Sequence, residues 1–137
     1  MRKYIIATHG HMAYGINTTL NMLIGAQENL TIINAYTDEC KDPIPEFEKI
    51  IAENPEDDIV IMTDLFGGSV NNELLELTTR GNVHVVTGTN LILAMSILLT
   101  CPESDDVAAT IRNCVEDAKT GIVYCNDMEI DSDLDEL

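Results

Sequence analysis

Thr8-His9-Gly10-His11 follows the first apolar run of the chain, and Asp64-Leu65-Phe66-Gly67-Gly68-Ser69 follows the third. Each stands where a buried strand should hand over to a helix. If the two strand ends lie side by side, an imidazole, a carboxylate and a run of free backbone amides share one crevice. A neutral imidazole with one nitrogen facing solvent is a nucleophile, and its other nitrogen needs a partner to fix the tautomer. Asp64 can hold one ring N–H while the far nitrogen attacks, and it can stabilise the positive charge that develops on the ring. Gly10 permits a tight turn, leaves backbone exposed and is counted with the phosphate-binding residues. Gly67, Gly68 and Ser69 directly precede a helix, whose free N–H groups bind anions. Ser69 can either cap that helix or donate its hydroxyl to a phosphate oxygen. The crevice suits a histidine that carries a phosphoryl group, with Thr8, His11, Leu65, Asn72 and Asn90 at its border.

Other chemistries fit less well. His9-Gly10-His11 has the look of a metal pair, but the remaining ligands would have to be Asp64 and perhaps His84, and no Glu or Cys clusters with them. No metal is expected, and His84 reads as structural. The nucleotide-binding loops Gly-x-x-x-x-Gly-Lys-Ser/Thr and Gly-x-Gly-x-x-Gly are both absent, and no cofactor is expected. Capping or solvation is a rival reading for Asn71, Asn72 and Asn90.

The elements that must position these residues alternate regularly. Strands are expected at Lys3–Thr8, Leu30–Ala35, Ile59–Thr63 and Val83–Thr87. Met12, Ile16, Leu20, Leu23 and Ile24 recur at helical spacing, with Gly25 as a stop. Phe47, Ile50 and Ile51 mark a second helical face, and Val70, Leu74, Leu75 and Leu77 a third. Asn90 to Leu99 is apolar all round, which predicts a buried helix. Val107, Ile111, Cys114, Val115 and Ala118 give a last amphipathic helix, closed by Gly121, and Ile122 to Cys125 a short final strand. Strands joined by helices imply an α/β fold, a doubly wound and mainly parallel four-stranded sheet with helices on both faces. The final strand could pair at an edge or with a second subunit. Such sheets bind ligands outside the carboxyl ends of the strands, where strand order reverses. With the order 2-1-3-4 that point falls between the strands ending at His9 and Asp64. The second strand ends in Tyr36-Thr37-Asp38, which is less pointed chemically.

The chain has 137 residues, enough for one domain. It should bury roughly two-thirds of its unfolded surface. We place the domain at residues 1–125 and an acidic tail at 126–137. Asp127, Glu129, Asp131, Asp133, Asp135 and Glu136 crowd that end. The net charge is −17 with only 7 Lys and Arg, which excludes nucleic acid as a partner and disfavours anionic membrane surfaces. A basic protein partner would be steered toward such a surface, although solubility alone accounts for part of the charge. Leu91 to Leu99 falls short of the ~18 residues of a membrane span, and Tyr4-Ile5-Ile6-Ala7 is too short for a signal peptide. A cytoplasmic location is expected. Cys40, Cys101, Cys114 and Cys125 are scattered and read as reduced thiols.

Thr8-His9-Gly10, Asp64-Leu65-Phe66-Gly67-Gly68-Ser69 and Gly88-Thr89-Asn90-Leu91, in that order over about residues 3 to 125, resemble the IIA domain of the mannose family (mannose, fructose, sorbose) of the bacterial sugar phosphotransferase system. The resemblance implies that His9 accepts a phosphoryl group on Nε2 from the phosphocarrier HPr. Asp64 would bond the His9 ring, and a separate IIB protein would take the group on for sugar uptake through the membrane components IIC and IID. It also implies a homodimer with an exchanged C-terminal strand, a role that Gly121 to Cys125 fits. Two positions depart from the family pattern: Val70 stands where proline often follows Gly-Gly-Ser, and Ile92-Leu93 continue Asn90-Leu91 where proline is common. Neither removes a chemical group, so loop stiffness and partner fit should change while chemistry is kept. Alternatives are the phosphoryl-relay subunit of a dihydroxyacetone kinase, which shares the general fold, and a sensor of phosphorylation state, which would use the same histidine.

Overall fold

The computed structural model describes residues 1–65 and 69–129, with residues 69–71 described in backbone alone. Four strands, β1 (Arg2–His9), β2 (Leu30–Ala35), β3 (Asp58–Thr63) and β4 (Val83–Val86), form one parallel sheet in the order β2-β1-β3-β4. The two central strands are nearly continuous apolar runs because both of their faces are covered. Ile59, Val60, Ile61 and Met62 are completely buried.

The alternating side chains divide the core in two. Tyr4, Ile6, Val60, Met62 and Val86 face α1 (Met12–Ile24), α4 (Leu91–Thr100) and α5 (Val107–Thr120). Ile5, Ala7, Ile33, Ile59, Ile61 and Val83 face α2 (Ile44–Glu53) and α3 (Ser69–Leu77). Helices on both faces make the sheet doubly wound. The order places the reversal between β1 and β3, as the site argument requires.

Local chemistry sets the helix ends. Asp106 accepts from the Ala109 amide and starts α5, and Asn90 accepts from Leu93 and starts α4. The start of α1 depends on more distant groups. His11 at its N-cap supplies no side-chain bond. The buried Thr8 hydroxyl accepts from the Ala13 amide at 2.7 Å, and the Asn34 side-chain oxygen Oδ1 from the Tyr14 amide at 3.3 Å. Both acceptors sit at strand ends, so the sheet itself caps the helix that follows His9. Thr8→Val keeps the shape but leaves a buried amide without its acceptor. It should cost about 1–2 kcal/mol, read as a lower urea midpoint at unchanged slope.

Two expectations need correction. The helix after β4 is not buried all round. Leu93, Ala94, Ile97 and Leu98 face the core, while Ile92 and Leu99 are exposed, because the sheet, α1 and α5 cover only part of α4. Ile122 to Cys125 form no strand in the single chain. Ile122, Val123 and Tyr124 run exposed into a short 3-10 turn at Cys125–Asp127. A strand needs a neighbour to take up its backbone hydrogen bonds, and the described residues of a single chain provide none there.

Candidate functional site

β1 and β3 end next to each other, and their last residues meet. Asp64 Oδ2 accepts from the His9 amide at 3.0 Å, and both carboxylate oxygens lie within reach of His9 Nδ1, at 3.1 and 3.2 Å. The Leu65 amide donates to Asp64 Oδ1 at 2.9 Å. The Asp64 side chain is only 15% exposed, whereas that of His9 is 58% exposed. One nitrogen of the ring is tied to the protein, and Nε2 has no protein partner among the described residues.

A carboxylate that accepts also fixes the tautomer: an ionised Asp64 requires a proton on Nδ1, which leaves the lone pair on Nε2. Burial pushes the Asp64 carboxyl up, but the His9 amide, the His9 ring and the Leu65 amide outweigh that and hold it below the ordinary carboxylate range. Asp64 is therefore a charged acceptor at neutral pH.

Backbone bonds lock this arrangement in place. Gly10 turns the chain with φ +64° while its amide donates to Ala35 O at 3.0 Å. The turn after β4 is tied back in the same way. The Gly88 amide donates to Asp64 O and the Thr89 amide to Thr63 O. The carboxylate thus sits on a backbone held from both sides.

The other expected site residues separate by position. Leu65 is well exposed beside Asp64, and Asn72 is exposed on α3. Thr8 is buried, with its hydroxyl bonded to the Ala13 amide. Asn90 is half-buried and caps α4, so capping accounts for it. His11 is exposed, with Nε2 3.6 Å from Glu39 Oε1. His84 lies on β4 with Nε2 3.9 Å from Asp58 Oδ1, a residue at the opposite, amino end of β3. Ser69 opens α3. Gly67 and Gly68, expected to cradle phosphate, lie outside the described residues, as does the side chain of Ser69. Among the described residues no three His, Cys, Asp or Glu side chains converge as a metal site.

One site residue is missing from the sequence reading. The Tyr36 ring lies against the His9 ring, with centroids 4.9 Å apart and planes 32° from parallel. Tyr36 also lines an open cleft with His11, Thr37, Asp38 and Lys41. Its place just past β2, next to the switch point, was the only available signal.

The site and fold therefore define a class: an open parallel α/β sheet with a solvent-facing histidine, oriented by a carboxylate, at its switch point. The chain belongs to the EIIA-man family, the fructose IIA component of the sugar phosphotransferase system, whose model matches residues 3–115. Members of that family are phosphotransfer proteins. Solved structures agree. The chain is 34% identical to a protein of Klebsiella pneumoniae described as a phosphoenolpyruvate-dependent sugar phosphotransferase system permease, with TM-score 0.82 over 92% of each chain. It is 25% identical to phosphotransferase system component EIIA from Streptococcus agalactiae, with TM-score 0.77 over 93% of this chain and 100% of that one. A mannose/sorbose-specific IIA subunit from Enterococcus faecalis shares the fold at 20% identity, with TM-score 0.77 over 93% of this chain and 97% of the other. Among the described residues no helix is long and apolar enough to cross a membrane.

Proposed function

We propose that the protein is a phosphohistidine carrier that takes a phosphoryl group from HPr on His9 Nε2 and passes it to a separate IIB protein during sugar uptake. The observation that carries this reading is the His9–Asp64 pair, with Nδ1 bound to a charged carboxylate and the far nitrogen of an exposed ring without a partner among the described residues. In the transfer, the Nε2 lone pair forms a bond to phosphorus while the donor's P–N bond breaks and its electron pair stays on the donor nitrogen. The Nδ1 proton does not move, and Asp64 balances the charge it retains. Catalysis of that step is mostly positioning and charge stabilisation.

The arriving phosphoryl group needs hydrogen-bond donors. The Gly10, Ala13 and Tyr14 amides are already engaged within the protein. Gly67, Gly68 and Ser69, at the start of α3, would form the phosphate cradle, because amides at a helix start have no partner within the helix, and Gly10 would border it through its turn. Residues 1–125 would act as one unit in the cytoplasm, with 126–137 as an acidic tail. The exposed Ile122, Val123 and Tyr124 would form a strand on a second copy of the chain. The membrane components IIC and IID would be reached only through IIB.

The test is reconstitution. The purified protein, incubated with phosphoenolpyruvate, enzyme I and HPr, should gain one acid-labile, base-stable phosphoryl group by intact mass. It should lose the group when IIB is added. No gain while HPr itself is phosphorylated would overturn the reading and turn attention to the dihydroxyacetone system as donor.

A further inference from the structure

We propose that Tyr36 is a positioning residue for the His9 carrier, its ring setting the plane of the imidazole and covering one face of it. The proposal rests on the carrier reading of His9 and adds a residue to it.

Asp64 alone leaves the imidazole underdetermined. Its two oxygens sit almost equally far from Nδ1, at 3.1 and 3.2 Å. Such a contact fixes where Nδ1 lies and what it donates to, yet lets the ring rock about the line joining nitrogen and carboxylate. The Nε2 lone pair lies in the ring plane, so rocking swings the direction along which phosphorus must approach. A misdirected approach forfeits much of the gain from orientation. A second ring stacked on one face removes that freedom, and Tyr36 is placed to do so at 4.9 Å and 32°. Offset aromatic contacts of this spacing are favourable.

The backbone supports the same conclusion. Tyr36 has φ +62° and is the one described non-glycine residue in the left-handed region. That conformation is costly for a tyrosine, and it persists only where its surroundings impose it. Here Ala35 O is held by the Gly10 amide, Thr37 Oγ1 donates to Asn34 O, and Thr37 and Cys40 exchange backbone bonds. Burial does not explain the residue, since 44% of it remains exposed. What the strained turn achieves is to swing a large ring over His9. The phenol stays neutral there: partial burial and then the carboxylates of Asp42, Asp64 and Glu73 all push it up, so no second negative charge stands beside a phosphoryl group.

The test uses Tyr36→Phe, Tyr36→Leu and Tyr36→Gly in the full chain. Nuclear magnetic resonance of the unphosphorylated protein reads the His9 ring protons. Stacking places them upfield, Tyr36→Phe keeps them there, and Tyr36→Leu and Tyr36→Gly move them to ordinary positions. Acceptance from phosphorylated HPr should slow about two- to tenfold in the Leu and Gly variants, the factor a single aromatic contact supports, and be rescued in Tyr36→Phe. Tyr36→Gly, which relieves the left-handed backbone, should be no less stable to urea than Tyr36→Leu, separating loss of the ring from loss of the fold. Unchanged His9 ring shifts in Tyr36→Leu, or a Tyr36→Phe as slow as Tyr36→Leu, would overturn the proposal. The ring shifts require no phosphoryl donor, so a wild type that takes up no phosphoryl group would sink the carrier reading while the stacking measurement still stands.

Discussion

His9→Ala should accept no phosphoryl group from phosphorylated HPr, while its urea midpoint stays close to that of the wild type. The effect is all or none because the substitution removes the nucleophile itself. His11 and His84 cannot replace it. His11 lies beyond Gly10 with its ring toward Glu39, and His84 sits beside Asp58 toward the other end of the sheet. Neither has a carboxylate bonded to one nitrogen while the other faces solvent. Stability should hold because the His9 side chain is more than half exposed and its amide, which bonds Asp64, survives the change. Intact mass with and without the donor system checks the first part, and a urea titration the second. A phosphoryl group still taken up by His9→Ala would mean that another residue carries it.

Asp64→Asn should lower the transfer rate by roughly 10²–10⁴-fold, the range over which a correctly held proton partner counts. An amide cannot supply the negative charge that favours a proton on Nδ1, and its NH₂ can turn toward the ring and select the wrong tautomer. The positive charge left on the ring after transfer also loses its counter-charge. Protein stability should respond as well, but differently with pH. The Asp64 carboxyl is held below its ordinary value in the folded state. Its contribution is present above the unfolded carboxyl value of about 4 and is lost as pH falls through the lower folded value. Wild type and Asp64→Asn should therefore differ most in urea stability near neutral pH and converge in acid. Transfer measured by rapid quench, alongside urea titrations at neutral and acid pH, checks both. An unchanged rate would remove Asp64 from the mechanism.

The central features were legible in the sequence because they are set by short-range patterns. Four apolar runs and the helical spacing between them specify a parallel sheet, and β2 lies at Leu30–Ala35 as read. Once the order 2-1-3-4 is assumed, His9 and Asp64 must be neighbours, and the sheet has that order. What escaped depends on contacts between segments distant in sequence. Thr8 and Asn34 cap α1 from strand ends, which no local capping pattern reveals. Tyr36 lies against His9 from a left-handed backbone, a conformation that side-chain type argues against. Ile92 and Leu99 look like core by composition, but whether an apolar helix face is covered depends on what else packs there. Ile122 to Cys125 carry strand residues, yet a strand exists only where a partner edge does.

The carrier role depends on one nitrogen. The phosphorylated, ¹⁵N-labelled protein, observed by proton–nitrogen correlation through the histidine rings with phosphorus coupling, reports which nitrogen of which histidine bears the group. The prediction is a phosphoryl group on Nε2 of His9, with a proton retained on Nδ1. A group on Nδ1 of His9, the nitrogen bound to Asp64, or on any other residue would contradict it.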